Sequence, residues 1–167
     1  MENRLLVACT CFNERKHVRR WIQQLIRYKN IIDIVIYDGG STDGTIQIIK
    51  EYDVELRTYL SAEINFGERW NYIYNEVINK NRYIFRLDTD EIVADGTIDE
   101  VLQTISNEQQ FLYFTRYSSF NGRLLKHGLT SSNVLRCAYY KCLEYENVPL
   151  DEGILEKGEF KRILIKG

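Results

Sequence analysis

Residues 31–45, IIDIVIYDGGSTDGT, contain the pattern that decides the fold prediction. Ile31 to Tyr37 is a nearly continuous apolar run, which is typical of a strand that is buried on both faces of a sheet. Asp38 and two glycines end this run, and the polar residues Ser41 to Asp43 are of types that begin helices. The stretch therefore predicts a buried strand, a tight polar turn and a short helix, in that order.

Apolar runs of strand length alternate with segments of helical period on both sides of this stretch. The other predicted strands of the first half are Leu5 to Ala8, Val54 to Leu60 and Tyr83 to Leu87. Apolar residues spaced three and four apart predict helices around Trp21 and Trp70. Strands separated by helices of this length indicate a mostly parallel sheet with right-handed crossovers.

The second half of the chain has a different pattern. A helical period runs from Ile98 to Ile105. After it, Phe111 to Tyr117 and Val134 to Tyr140 are strand-like and are linked through the turn-like Asn121-Gly122. We therefore expect this half of the sheet to be mixed and more antiparallel.

Composition and charge limit the class of protein. The chain has 167 residues, 44% of them apolar, which suits one globular domain with a first half at 1–95 and a second half at 96–167. A net charge of −2 gives no reason to expect nucleic acid, because phosphate backbones select basic surfaces. One basic concentration is interpreted as a solvated helix face rather than a phosphate or membrane contact: Arg15, Lys16, Arg19 and Arg20.

Apolar length and cysteine spacing bear on location. No run reaches the roughly 20 apolar residues of a membrane helix, and no signal cleavage site follows the N-terminal run. We therefore expect a cytoplasmic chain without a transmembrane segment. The cysteines lack the spacing of a structural zinc site and are interpreted as core thiols: Cys9, Cys11, Cys137 and Cys142.

Polar clusters follow three predicted strands, at Thr10 to Glu14, Asp38 to Thr45 and Asp88 to Glu91. Because ligands of open α/β sheets bind outside the carboxyl ends of the strands, we expect the three clusters to form one site. The Asp38 loop offers acceptors for a base imide or a ribose hydroxyl, and its glycines let a ligand approach the backbone. The alternative for this loop is a strand-to-helix turn with a Ser or Thr cap.

Asp88 and Asp90 predict a bound cation. Residues two apart on extended backbone project to the same side, and two carboxylates repel each other unless a cation or hydrogen-bond donors neutralise them. Mg²⁺ or Mn²⁺ is the natural partner, because hard cations take oxygen ligands and accept substrate phosphates. The alternative is an acidic turn that caps the next helix.

Four motifs together resemble the ordered landmarks of family 2 glycosyltransferases. They are Thr10-Cys-Phe-Asn13-Glu14, Asp38-Gly-Gly-Ser41-Thr-Asp43-Gly44-Thr45, Asn65-Phe-Gly67-Glu-Arg69-Trp-Asn71 and Leu87-Asp88-Thr-Asp90-Glu91. The resemblance implies a GT-A fold, a three-layer α/β/α sandwich, with a nucleoside-diphosphate-sugar donor and a divalent cation. The Asp-x-Asp-Glu ending resembles the branch that includes lipopolysaccharide-core β-glucosyltransferases.

The resemblance also implies roles for individual residues. Asp38 would contact the base, Asp43 would support its loop, and Asp88 would bind ribose and metal, with Asp90 the stronger metal ligand. The remaining residues implied to contact or lie near the donor are Thr10, Asn13, Glu14, Ser41, Arg69 and Asn71.

Inversion by direct displacement needs a carboxylate base opposite the leaving group. Asp151 and Glu152, just after Pro149, are the candidates. Sequences of the resembled branch often have His-Glu at this point, so Asp151 departs from the pattern and the assignment stays open beside a solvated turn. His127 is a candidate for contacting phosphate or acceptor. Three basic residues could neutralise the diphosphate, and the sequence does not choose among them: Arg116, Lys126 and Arg136.

Two other functions compete with sugar transfer. A nucleotidyltransferase would carry a Gly-rich basic loop after the first strand, where this chain has Cys11 to Glu14. A non-catalytic nucleotide-sugar-binding domain fits the short length, as does a truncated enzyme whose acceptor contacts lie beyond residue 167. The resemblance favours a UDP-sugar donor and a saccharide or lipid-linked acceptor in cell-envelope polysaccharide or lipopolysaccharide synthesis, at the inner face of the membrane. It gives no oligomeric state.

Overall fold

The computed structural model describes residues 5–59, 65–77, 83–105, 110–121, 123–125, 131–140, 143–145, 154–156 and 161–165. The helices are α1 Val18–Leu25, α2 Thr45–Ile49, α3 Phe66–Val77 and α4 Thr97–Thr104, with a short 3₁₀ turn at Ile26–Tyr28. The first strands are β1 Leu5–Cys11, β2 Asp33–Asp38, β3 Glu55–Thr58, β4 Tyr83–Arg86, β5 Gln110–Tyr117 and β6 Ser119–Phe120. The later strands are β7 Arg123–Leu124, β8 Ser131–Tyr139, β9 Leu143–Tyr145, β10 Ile154–Glu156 and β11 Lys161–Ile165.

Within the described residues, seven strands form one sheet in the order β11-β5-β8-β4-β1-β2-β3. β1 pairs in parallel with β2 and β4, β2 pairs in parallel with β3, and β5 pairs in parallel with β11. Only β8 runs the other way, antiparallel to both β4 and β5. The prediction of a parallel first half and a mixed second half is confirmed. The edge strand β11 was not predicted, because its partner β5 lies some 50 positions earlier in the chain.

The sheet has helices on both faces because β1 alternates its side chains between two core clusters. Leu5, Val7 and Cys9 pack with Trp21 and Ile22 of α1 on one face. Leu6 and Ala8 pack on the other face, in the cluster that contains Trp70 and Ile73 of α3. The three-layer α/β/α sandwich expected from the sequence is therefore present.

Helix α2 begins later than predicted. It starts at Thr45 after Gly44, which has a φ of 101°, instead of within Ser41 to Asp43. The reason is that Ser41 and Thr42 bond elsewhere, whereas the Asp43 carboxylate accepts the amide of Thr45 and so supports a helix start at that residue. The Ser41 hydroxyl donates to Asp38, and the Thr42 amide donates to Asn13, so neither residue caps the helix.

No helix in the described part of the chain is long and apolar enough to cross a bilayer.

Candidate active site

The turns that follow β1, β2 and β4 lie side by side at one edge of the sheet. Cys11 is opposite Asp38 in the β1–β2 register, and Ala8 is opposite Arg86 in the β1–β4 register. Burial raises the pKa of the Cys9 thiol, and Cys11 and the charges of Asp88, Glu14 and Asp38 add to the rise. Carboxylates from all three turns therefore lie close enough to act on one side chain at the end of β1.

Asp38 holds the turn after β2 in shape. Its carboxylate is 1% exposed. One oxygen accepts the amides of Gly40 and Ser41, both at 2.8 Å. The other accepts the Ser41 hydroxyl at 2.5 Å and the Cys11 thiol at 3.2 Å. A carboxylate has about four acceptor positions, so this one is fully used within the protein. Contact with a nucleobase, as the resemblance implies for Asp38, stays a prediction and would replace one of these bonds.

Asn13 joins the turn after β1 to the turn after β2. It has a φ of 58°, a conformation that Asn tolerates better than most residues. Its amide donates to the Ser41 hydroxyl at 2.8 Å, and its side-chain oxygen accepts the Thr42 amide at 2.9 Å. Asp43 makes a second connection by accepting the Arg15 amide at 3.1 Å. The two turns thus form one bonded unit.

Asp43 also orders the start of α2. One of its oxygens accepts both the hydroxyl and the amide of Thr45. The Thr45 hydroxyl, with the Arg15 and Thr45 amides, holds the pKa of Asp43 below its ordinary value. Glu14 has a similar local role at α1, where its carbonyl accepts the amides of His17 and Val18 and its carboxylate contacts the His17 ring at 2.7 Å. Thr10 is half-buried at the end of β1.

Phe12 is a candidate site residue that the sequence analysis did not select. It lies between Cys11 and Asn13, and 55% of it is exposed. Covering an exposed aromatic ring with a planar group is favourable, because it removes the ring from water and allows stacking. The signal in the sequence was a large apolar residue in an otherwise polar cluster, directly after a strand.

Tyr59 packs against the turn after β2 and connects it to α3. A Cβ atom on Gly39 would lie 2.4 Å from the Tyr59 hydroxyl oxygen, so any larger residue would have to displace the Tyr59 ring. The guanidinium of Arg69 lies over the Tyr59 ring, 5.2 Å from its centroid. Arg69 therefore reaches the edge of the predicted donor site through Tyr59. Asn71, two residues farther along α3, is half-buried.

The acidic turn after β4 is bonded to cations of the protein itself. Asp88 accepts Arg86 Nε at 3.2 Å on one oxygen and a terminal nitrogen of Arg136 at 3.1 Å on the other. Arg136 also pairs with Glu91, whose carboxylate accepts the Asp88 amide. Burial raises the pKa of Glu91, Arg136 lowers it, and Asp88 raises it further. Of the three basic candidates, Arg136 lies in the site, Arg116 is exposed on β5, and Lys126 is outside the described residues.

Helix α1 fixes the backbone of the same acidic turn. Trp21 Nε1 donates to the Leu87 carbonyl at 3.0 Å, and Arg20 donates to the Asp90 carbonyl at 3.1 Å. Gln24 donates to the Glu91 carbonyl and accepts the Val93 amide. Arg20 is exposed, as the solvated-face interpretation expected, yet it also has this positioning contact.

The acidic side chains after β4 suit a cation that is bound jointly by the protein and a substrate. Among the described residues, no three His, Cys, Asp or Glu side chains are grouped to hold a metal by themselves. Asp90 is exposed, whereas both oxygens of Asp88 face arginines. Mg²⁺ and Mn²⁺ commonly use one or two carboxylates together with substrate phosphates and water. Asp90 fits that arrangement.

The candidate bases Asp151 and Glu152 lie outside the described residues, as do His127 and Cys142.

Comparison with known proteins finds glycosyltransferases that are longer than this chain. The chain is 25% identical over 166 residues to glycosyltransferase GlyA of Streptococcus pneumoniae, a match that covers 96% of this chain and 23% of GlyA. It is 24% identical over 116 residues to the uncharacterized glycosyltransferase MG060 of Mycoplasma genitalium, covering 65% of this chain and 39% of that protein. The chain thus spans well under half the length of these relatives.

Solved structures share the fold. TarS 1–349 of S. aureus matches with a TM-score of 0.59 and 18% identity, over 74% of this chain and 38% of that 1–349 chain. The UDP complex of glucosyl-3-phosphoglycerate synthase from Mycobacterium tuberculosis matches with a TM-score of 0.58 and 12% identity, over 83% of this chain and 57% of that one. A second structure of this synthase contains Mn²⁺, UDP-glucose and phosphoglyceric acid, and matches with a TM-score of 0.54 and 15% identity over 70% of this chain and 45% of that one. The architecture is that of GT-A proteins.

A family model agrees with this likeness. The model described as "Glycosyl transferase family 2" matches residues 7–154, which include all the site residues discussed above. The chain belongs to glycosyl transferase family 2.

Proposed function

We propose that the chain transfers a sugar from a nucleoside-diphosphate sugar, preferably a UDP-sugar, to an acceptor hydroxyl with inversion at the anomeric carbon. One observation carries this proposal. The Asn13–Ser41–Asp38 unit, which suits a nucleoside, lies at the same sheet edge as the acidic turn Asp88–Glu91. A nucleotide whose base is bound at the first can place its diphosphate at the second.

The donor is held by groups with different tasks. The ring of Phe12, 55% exposed, offers a face for the base. Thr10, Asn13 and Ser41 line the nucleoside side, Asp38 contacts the base in exchange for one of its present hydrogen bonds, and Asp43 supports that loop. Arg69, Asn71 and Glu14 complete the rim.

Charge development determines what the acidic turn contributes. Breaking the anomeric bond leaves a nucleoside diphosphate with growing negative charge, which a bound Mn²⁺ or Mg²⁺ stabilises as a Lewis acid. Asp90 would hold that cation, with Asp88 beside it directed to the ribose. Arg136 and Arg86 hold the Asp88 carboxylate in place, so the site is organised before the substrate arrives. Solved complexes of the M. tuberculosis synthase with UDP, or with Mn²⁺ and UDP-glucose, support this assignment by likeness of fold.

The acceptor side rests on sequence alone. Asp151 or Glu152 would remove the proton from the acceptor hydroxyl as it attacks. The half at 96–167 would provide the acceptor contacts of a hexosyl transfer to a saccharide or lipid-linked acceptor. We place this reaction in cell-envelope polysaccharide or lipopolysaccharide synthesis at the cytoplasmic face of a membrane, in a branch similar to lipopolysaccharide-core β-glucosyltransferases.

Ligand-induced stabilisation tests the donor site independently of turnover. UDP with Mn²⁺ at a hundred times the dissociation constant should raise the free energy of unfolding by about 2.7 kcal/mol. Asp90→Asn should remove most of the Mn²⁺-dependent part of this gain. Asp95→Asn is the matched control, because Asp95 is fully exposed and its ion pair with Arg27 is long, at 3.8 Å. An unchanged Mn²⁺ effect in Asp90→Asn contradicts the metal assignment.

Turnover separates an enzyme from a binding domain. A panel of UDP- and GDP-sugars, with Mn²⁺ or with chelator, should show donor hydrolysis or transfer that Asp151→Ala or Glu152→Ala lowers. Donor binding without turnover in the wild-type chain, together with wild-type behaviour of both variants, favours the non-catalytic binding domain.

A further inference from the structure

The strands β6 and β7 form a small hairpin with large apolar side chains in water. We call β6, β7 and the flanking Tyr117 and Leu125 the tip hairpin. The exposed fractions are 60% for Tyr117, 70% for Phe120, 61% for Leu124 and 41% for Leu125. Four neighbouring apolar residues exposed to this extent indicate a surface that another phase or molecule covers.

The tip hairpin is an ordered element. Ser119 pairs with Leu124 and Phe120 pairs with Arg123 in antiparallel register. The Leu125 amide donates to the Ser118 carbonyl at 2.9 Å, and Asn121 has the positive φ of 49° that two-residue hairpin turns require. The backbone therefore holds the apolar side chains outward.

Successive pairs of a ladder project to opposite faces, so Phe120 lies on one face of the tip hairpin and Leu124 on the other. A flat protein surface, or a second copy of this chain, would cover one face and leave the other in water. A bilayer interface surrounds an inserted tip on every side. The two-faced apolar pattern therefore favours lipid as the occupant.

The charge around the tip hairpin selects the type of lipid surface. Residues 110–130 contain three basic residues and no Asp or Glu, although the whole chain has a net charge of −2. Arg116 and Arg123 are exposed, and Arg123 lies directly across the hairpin from Phe120. Apolar and aromatic side chains flanked by arginines match the interface of a bilayer with anionic headgroups.

The tip hairpin rises from the edge of the sheet that carries the candidate active site. β8 is antiparallel to both β4 and β5, so β5 runs in the same direction as β4. Tyr117, the last residue of β5, is therefore at the same edge as Asp88, which follows β4. A membrane bound there would lie next to the site.

We propose that the tip hairpin inserts into the headgroup region of an anionic bilayer and holds the active-site edge against it. The consequence for catalysis, delivery of a lipid-linked acceptor, rests on the proposed function. Membrane binding itself does not, so the two can fail separately.

Vesicle cosedimentation of the full chain tests the proposal. The chain should bind vesicles that contain phosphatidylglycerol more strongly than vesicles of phosphatidylcholine alone. Phe120→Ser with Leu124→Ser should weaken binding about tenfold, and Arg116→Gln with Arg123→Gln should lower only the phosphatidylglycerol-dependent part, also by about tenfold. Ile31→Ser is the matched control, because Ile31 is 51% exposed but precedes β2 at the opposite edge, and it should bind as the wild type does.

A tryptophan probe measures insertion directly. Trp21 and Trp70 are both 0% exposed, so neither should be quenched by brominated lipid. Phe120→Trp should add fluorescence that brominated phosphatidylglycerol vesicles quench. Unchanged circular dichroism and an unchanged urea-denaturation midpoint confirm that a variant is folded. Equal binding of the double serine variant and the wild type, no binding of the wild type, or a dimer that the serine variant abolishes would each overturn the proposal.

Discussion

The turn after β2 and the turn after β4 each place a carboxylate at the same sheet edge, but they are stabilised by different groups. Asp38 accepts hydrogen bonds from Cys11 on the neighbouring strand and from Gly40 and Ser41, which follow it in the chain. Asp88 and Glu91 depend on Arg136 of β8, 45 or more positions away in the chain. The first turn is therefore closed by neutral donors, and the second by two arginines, of which Arg86 is local and Arg136 is distant in the chain.

This difference determines which groups each turn can offer to a ligand. Neutral donors occupy the acceptor positions of Asp38, so the first turn presents its backbone and the Phe12 ring, and a base that contacts Asp38 has to replace one of these hydrogen bonds. A guanidinium shared between Asp88 and Glu91 leaves the exposed Asp90 available beside it. The second turn can accept a cation and a diphosphate while its own carboxylates stay neutralised.

The largest loss of stability is expected when Arg136, the distant cation, is replaced. Arg136→Met should lower the free energy of unfolding by about 3 kcal/mol, because it leaves Glu91 charged and poorly solvated. Urea denaturation of this variant and of the control Arg116→Met measures the difference. Arg116 is exposed on the neighbouring strand, so its variant should lose no more than about 0.5 kcal/mol.

The origin of that loss can be checked in the same background. Glu91→Gln added to Arg136→Met should recover part of the stability, since it removes the charge that lost its partner. A double variant that is less stable than Arg136→Met alone would show that Arg136 stabilises the turn by packing instead of by pairing.

A smaller effect is expected at the local turn. Asp38→Ala leaves the amides of Gly40 and Ser41 without their acceptor, and should cost about 2 kcal/mol of unfolding free energy. Asp53→Ala is the control, because Asp53 is largely exposed and its ion pair with Lys29 lies at the surface. Equal losses in the two variants would contradict the role of Asp38 in shaping the turn.

The same contrast explains what the sequence could predict. The apolar runs ending at Ala8, Tyr37 and Leu87 place three polar clusters at one edge, because parallel strands share their direction. Arg136 could not be selected from Arg116 and Lys126, since pairing with Asp88 depends on β8 lying next to β4. Strand β11 was missed for the same reason, because its partner β5 is some 50 positions earlier in the chain. Local patterns predict turns, and tertiary pairing decides which distant side chains complete them.

The smallest of the three effects concerns the fit between Gly39 and Tyr59. Gly39→Ala places a Cβ atom 2.4 Å from the Tyr59 hydroxyl oxygen and 2.8 Å from the ring carbon that bears it. We expect a loss of about 1.5 kcal/mol in unfolding free energy, because the ring must shift away from the turn. Adding Tyr59→Phe removes the closest atom and should return part of this loss, which a double-mutant cycle measures.

Gly40→Ala is the control that separates crowding from backbone strain. Nothing lies within 4 Å of a Cβ atom at Gly40, but its φ is +92°, so the cost there comes from the backbone. Tyr59→Phe should therefore leave the loss in Gly40→Ala unchanged. Equal recovery of stability at both positions would mean that Tyr59→Phe loosens the whole turn. The direct contact with Gly39 would then not be what holds Tyr59 and Arg69 at the site.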